Sequence, residues 1–142
     1  MPGIHKYADE FIAHIRTTQQ AYEERRLDDY LLGFSPEYTA VQLNTDTVED
    51  FAGLAAKIKA DFERFELLKM DFEVLNHWYS GDLGYAHLSY LTRLRFADSG
   101  RVLVDRRENI VTAVHQGRGR WLLATKIVLS ARNYIEDSRP AI

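Results

Sequence analysis

Residues 65–131 read FELLKMDFEVLNHWYSGDLGYAHLSYLTRLRFADSGRVLVDRRENIVTAVHQGRGRWLLATKIVLSA. Four strand-like runs are separated by three glycine-containing turns, so each run folds back on the one before. In the first run, Glu66 to Tyr79, Leu68, Met70, Phe72, Val74 and Trp78 alternate with Lys69, Asp71, Glu73 and His77. A period of two marks a strand with one buried face, here the even-numbered one. Gly81-Asp82-Leu83-Gly84 then turns the chain into the run Tyr85 to Phe96. Centred on Asp82, this hairpin pairs Asp71 with Arg93 and Val74 with Tyr90. The next turn, Asp98-Ser99-Gly100, centred on Ser99, pairs Arg93 with Asp105. Asp71, Arg93 and Asp105 then form an outer-face ladder of alternating charge, and a slip of one residue would destroy it.

The same register puts Val102, Val104, Ile110, Thr112 and Val114 on the inner face, together with Arg106 and Glu108. Arg106 lies opposite Thr92 and Glu108 opposite Tyr90, with Asn76 diagonally beyond Tyr90. Burying charges without partners costs several kcal/mol, roughly 3–5 when one partner is missing. These two therefore pair, meet water or line a cavity. In the cavity reading, Asn76, Trp78, Thr92, Arg106 and Tyr22 line a pocket. Glu108 is then the base of a proton transfer, while Tyr90 and Asn76 donate to a developing oxyanion. In the plain reading, Arg106 and Glu108 form a structural ion pair or face solvent, and Tyr90 is a core tyrosine. The third turn, His115 to Arg120, contains Gly117 and Gly119 and has room for a bulge. The face of the last strand, Trp121 to Ala131, stays open: either Trp121, Leu123, Thr125, Ile127 and Leu129 point inward, or Lys126 joins the pocket and points toward Glu108.

Upstream, Ile4, Tyr7, Phe11, Ile15, Thr18 and Tyr22 recur at three- and four-residue spacing and predict a long amphipathic helix from about His5 to Arg26. Leu27 to Leu32, stopped by Gly33 and Pro36, reads as a short second helix, and Tyr38 to Leu43 as a strand. After the Asn44-Thr45-Asp46 break, a third helix capped by Asp46 or Thr47 buries Val48, Phe51, Ala55, Ile58 and Phe62. The tail, Arg132 to Ile142, is polar and contains Pro140.

The chain of 142 residues, 46% hydrophobic and 27% charged, suits one domain: residues 1–64 as helices and a first strand, 65–131 as a four-stranded meander, and 132–142 as a tail. With Lys+Arg 18 against Asp+Glu 21, the net charge of -3 offers no general attraction to nucleic acid or to an anionic membrane. The absence of cysteine excludes disulfides, thiolate metal sites and a cysteine nucleophile, and fits a cytoplasmic location. No stretch has the length and apolarity of a membrane helix or a signal peptide. His77 and His87 are cross-strand neighbours on the outer face, but with no third ligand in view neither metal nor cofactor is expected.

Helices followed by an antiparallel meander predict an α+β domain with the helices on one face of a curved antiparallel sheet. The order of elements, the Gly81-Asp82-Leu83-Gly84-Tyr85-Ala86 turn and the Gly119-Arg120-Trp121 strand start resemble the NTF2-like, SnoaL-like superfamily of cone-shaped proteins. That resemblance implies a small apolar ligand, a homodimer and, among its enzymes, lyase, isomerase or cyclase chemistry by proton transfer without a cofactor. The family's catalytic residues do not carry over. Anchored on Leu27, the helix-one tyrosine and first-strand aspartate of the steroid isomerases fall on Thr18 and Gln42, and a glutamine cannot be the base. In the SnoaL-like pattern W-x-x-x-H-x-H-x-S, Trp121 is followed here by Thr125, Ile127 and Leu129, with Ser130 one place late, so the usual histidine pair is absent. Arg106-Arg107-Glu108-Asn109-Ile110-Val111 and Trp121-x-x-Ala124-x-Lys126-x-Val128 are also similar to the small β subunits of ring-hydroxylating dioxygenases. That similarity implies a non-catalytic subunit assembling with a larger oxygenase chain.

Overall fold

The computed structural model describes residues 2–43, 47–118 and 120–136, with side chains from Ala8 onward. In chain order the elements are α1 (Pro2–Glu23), α2 (Leu27–Leu31), β1 (Phe34–Gln42), β2 (Val48–Asp50), α3 (Phe51–Arg64), β3 (Phe65–Ser80), β4 (Leu83–Phe96), β5 (Val102–His115) and β6 (Trp121–Glu136). The strands form one curved, unclosed sheet in the order β2-β1-β6-β5-β4-β3, with the helices packed on its inner face. The α+β architecture expected of an NTF2-like cone is present. The sheet is mixed, however, because β1 runs parallel to β6.

Amphipathicity accounts for the helices. On α1, Phe11, Ile15, Thr18 and Ala21 are buried, and the helix ends where Arg25 takes a φ of 60. On α3, Leu54 and Ile58 are buried, with Phe51 and Phe62 packed against the core. The cap of α3 is Asp50, whose carboxylate accepts from the Gly53 N–H at 2.8 Å. Asp46 lies outside the described residues. Val48, assigned to the helix stripe on the sequence, instead sits exposed in the short edge strand β2.

The register differs from expectation in a way that decides which side chains face inward. Phe96 N–H donates to Arg101 O at 2.8 Å, so the β4–β5 loop is the four residues 97–100, with Gly100 at φ 74. An even-numbered loop is centred between Asp98 and Ser99 rather than on Ser99. Thr92 therefore pairs with Asp105, Tyr90 with Arg107, and Ser89 with Glu108. That one-residue difference exchanges the two faces of β5. The expected charge ladder is absent: Asp71 pairs with Leu91, Arg93 binds Glu136 at 2.8 Å, and Asp105 binds Arg107.

Bulges complete the change. In β3, register shifts at Leu68 and Leu75 leave Met70, Phe72 and Val74 inward but turn Trp78 outward, where it meets the Tyr85 ring edge-on. In β6, shifts at Ala124 and Leu129 answer the open question about its face: Trp121 and Leu123 point inward before the first, Lys126 and Val128 after it. An extra residue inverts the alternation beyond it, which a strict period of two cannot show. The third turn keeps Gly117 at φ 93 and Arg118 at φ 57, while Gly119 lies outside the described residues. Phe11, Tyr79 and Trp121 pack together, with ring centroids 5.0 to 6.3 Å apart. A Cβ on Gly84 would come within 3.1 Å of both the Phe11 and Trp121 rings, so Gly84 serves the close approach of α1.

Candidate functional site

Between the helices and the inner face of the sheet lies a cavity of about 300 Å³. That is at the small end of ligand pockets, roughly 300–1,000 Å³. Its apolar lining comes from Ile15 on α1, Phe34 on β1, Ile58 on α3, Leu88 on β4, Val111 on β5 and Leu123 on β6. A ring of tyrosines interrupts it: Tyr22 and Tyr30 from the first two helices, Tyr38 from β1 and Tyr90 from β4. Tyr30 is held between the rings of Tyr22 at 5.6 Å and Phe34 at 5.0 Å. Burial pushes the hydroxyl pKa of all four above the ordinary tyrosine value, so each stays a neutral donor at physiological pH. At Tyr90 a hydrogen bond with Asn109 works weakly against that trend. The Tyr38 hydroxyl and Asn109 Oδ1 are buried without a hydrogen-bond partner in the protein.

Charge enters from β5, β6 and α3. Arg107 Nε donates to Asp105 Oδ2 at 2.7 Å, forming a pair on the cavity wall. Lys126 lies between β1 and β5, with Ala40 and Val111 as its cross-strand neighbours. Burial, aided by repulsion from Lys57 and Arg107 and opposed by Glu49, lowers its pKa from 10.5 to about 8. Asp61 lies on α3 between Lys57 and Arg64; burial raises its pKa while those two cations hold it down. Among the described residues, no group of three His, Asp or Glu side chains is arranged to hold a metal ion.

Of the residues singled out on the sequence, Tyr22, Tyr90, Thr92 and Lys126 line this cavity. Glu108 and Arg106 do not. With the β4–β5 register moved by one residue, Glu108 stands on the outer face, its Oε1 3.8 Å from His87 Nε2, and Arg106 is exposed. The role of base assigned to Glu108 therefore has no geometry behind it, and Lys126 does not meet Glu108. Asn76, beyond the bulge at Leu75, is exposed, and its Oδ1 accepts from the His77 N–H at 2.9 Å. Trp78 is 46% exposed on the outer face. His77 and His87 are not neighbours: the first pairs with Ala86, and its Nδ1 lies 3.2 Å from the Tyr79 hydroxyl. Asp105, Arg107 and Asn109 take the places expected for Arg106 and Glu108; an even count for the loop at 97–100 would have found them. Tyr30, Tyr38 and Asp61 carried no signal beyond ordinary amphipathic spacing.

No family model matches the sequence, and no curated protein matches it. Solved structures do match in fold. A ketosteroid isomerase-like protein from Erwinia carotovora atroseptica superposes with a TM-score of 0.70 at 13% identity, covering 82% of this chain and 90% of that one. An NTF2-like protein from Cytophaga hutchinsonii gives 0.71 at 6% identity over 87% and 97%. A nuclear transport factor 2 (NTF2-like) superfamily protein from Salmonella enterica gives 0.72 at 11% identity over 88% and 91%. At these identities what is shared is the backbone. The element order, the helix-covered curved sheet and these superpositions together establish that this chain has the NTF2-like fold.

Proposed function

We propose that this protein binds one small, mainly apolar molecule in the cavity between its helices and the inner face of the sheet. The observation that carries this reading is the Tyr38 hydroxyl and Asn109 Oδ1, two of the buried polar atoms on the cavity wall that have no hydrogen-bond partner in the protein. Buried polar atoms are nearly always hydrogen-bonded, and a ligand oxygen or N–H would satisfy these two. Native mass spectrometry of the purified protein tests it. One equivalent of a small adduct, lost on denaturation, is the expected result. Contrary results would be an adduct-free protein together with no change in melting temperature across a panel of apolar probes sized to 300 Å³.

A second reading, proton transfer beside a carbonyl, is favoured by Lys126. A group with a pKa of about 8 exists in both forms near neutral pH, as a general base requires. Tyr90 and Tyr38 would donate to the developing enolate oxygen, giving cofactor-independent isomerase, lyase or cyclase chemistry. Deuterium exchange at the α-carbon of a bound ketone, abolished in Lys126→Met, would support it; exchange unaffected by that substitution would contradict it. For assembly, the exposure of Leu75, Trp78 and Leu83 on β3 and β4 favours pairing with a second copy of the chain, which light scattering would read as twice the 16.5 kDa mass.

A further inference from the structure

Six side chains around the cavity carry charge: Lys57, Arg64, Arg107 and Lys126 against Asp61 and Asp105, an excess of two cations. Part of this is settled internally. Arg107 is bonded to Asp105, and Asp61 is attracted by Lys57 four residues before it and Arg64 three residues after it on α3. Two cations remain in excess, one shared out on α3 and the other Lys126 on β6. Among the described residues no carboxylate lies within 4.0 Å of its ammonium, and Glu49 acts on it only from farther away. Its neighbours across both flanking strands are apolar and buried, Ala40 at 6% exposure and Val111 at 5%. Solvent therefore does not reach it through the sheet, and the cavity is the open side. Holding an ammonium charged among alkyl groups, with two other cations repelling it, costs free energy that an anion in the cavity would offset.

We propose that the ligand is an organic acid, an apolar body bearing a single carboxylate held against the Lys126 ammonium; this rests on reading the cavity as a binding site. The buried Tyr38 hydroxyl, on the neighbouring strand β1, is a second donor on the same wall. The internally paired Arg107 and the rim residues of α3 supply a positive field but are not the primary contact. Charge-assisted bonds of this kind are roughly twice as strong as neutral ones, so the acid is distinguished from its neutral analogue by the head group alone.

The test is calorimetry on the full chain at neutral pH with aliphatic and aromatic monocarboxylates from hexanoate to naphthoate, each beside its primary amide. At least one acid is expected to bind ten-fold or more tightly than its amide. Lys126→Met should lose that preference while still binding the amide, and Lys126→Arg, which keeps the charge, should retain it; circular dichroism confirms that both variants are folded. Amides that bind as tightly as acids, with Lys126→Met unchanged, would refute the acid and leave the cavity standing as a binding site. If neither acids nor amides bind, both readings fall together.

Discussion

The two faces of β5 carry nearly the same chemistry one residue out of step, yet have different surroundings. On the outer face, Arg106 is exposed and Glu108, its side chain 44% exposed, stands beside His87. On the inner face, Asp105 is 15% exposed and bonded to Arg107, with Asn109 buried two residues on. An acid and an arginine in water contribute about 0–1 kcal/mol, whereas breaking a buried pair costs about 3–5 kcal/mol. The energetic and chemical weight of the strand therefore lies entirely in which alternate residues meet the helices. That choice is made by the loop before it, not by the strand's own composition.

The sharpest way to test this difference is to remove the charge of Lys126, which among the described residues has no carboxylate within 4.0 Å. Lys126 has its pKa lowered from 10.5 to about 8, which at roughly 1.4 kcal/mol per pH unit corresponds to about 3 kcal/mol lost on folding with the charge in place. The group is charged in both folded and unfolded chains below about pH 8, so the loss is complete there. Between about 8 and 10.5 the unfolded chain holds more protons than the folded one, and stability from this group rises with pH. Lys126→Met is therefore expected to stabilise the protein by about 3 kcal/mol at pH 7, measured by urea unfolding, with the gain shrinking by pH 9.5. A variant that is less stable than the parent at pH 7 would mean that Lys126 has a partner the geometry does not show.

Next in size is the inner pair. Arg107→Met leaves the Asp105 carboxylate half-enclosed with one oxygen already unpartnered, and should destabilise by about 2 kcal/mol, the partial exposure of Arg107 reducing the full cost of a buried pair. Restoring neutrality with Asp105→Asn in the same chain should recover much of that loss, and a double-mutant cycle measures how much. The smallest effects belong to the outer face: Glu108→Gln and Arg106→Met should each change stability by no more than about 0.5 kcal/mol and leave any ligand affinity unaltered. A loss of binding in Glu108→Gln would put the β5 register back in question.

Much of the scaffold was legible because it depends on periodicity. The stripe Phe11, Ile15 and Thr18 on α1, the pair Phe51 and Ile58 on α3, and the even-numbered face of β4 from Ala86 to Leu94 follow from spacing alone. The glycine turns marked the hairpins correctly. What spacing could not resolve was parity: Arg106 and Glu108 alternate as well as Asp105, Arg107 and Asn109 do, and a four-residue loop has the same turn signature as a three-residue one. The bulges at Leu68, Leu75, Ala124 and Leu129 sit at ordinary apolar residues without glycine, so nothing in composition marks where Trp78 turns out or Lys126 turns in. The parallel pairing of β1 with β6 joins strands far apart in sequence, a non-local contact that local patterns do not encode.

One NMR titration tests the central claim directly, because each face carries a side-chain N–H that reports on itself: the Asn109 amide inside the cavity and the Trp78 indole outside it. When the tightest-binding monocarboxylate is added, the Asn109 side-chain amide resonances are expected to shift in a saturable manner while the Trp78 indole stays in place. A saturable shift at the Trp78 indole with the Asn109 amide unmoved would place binding on the outer face and contradict the account.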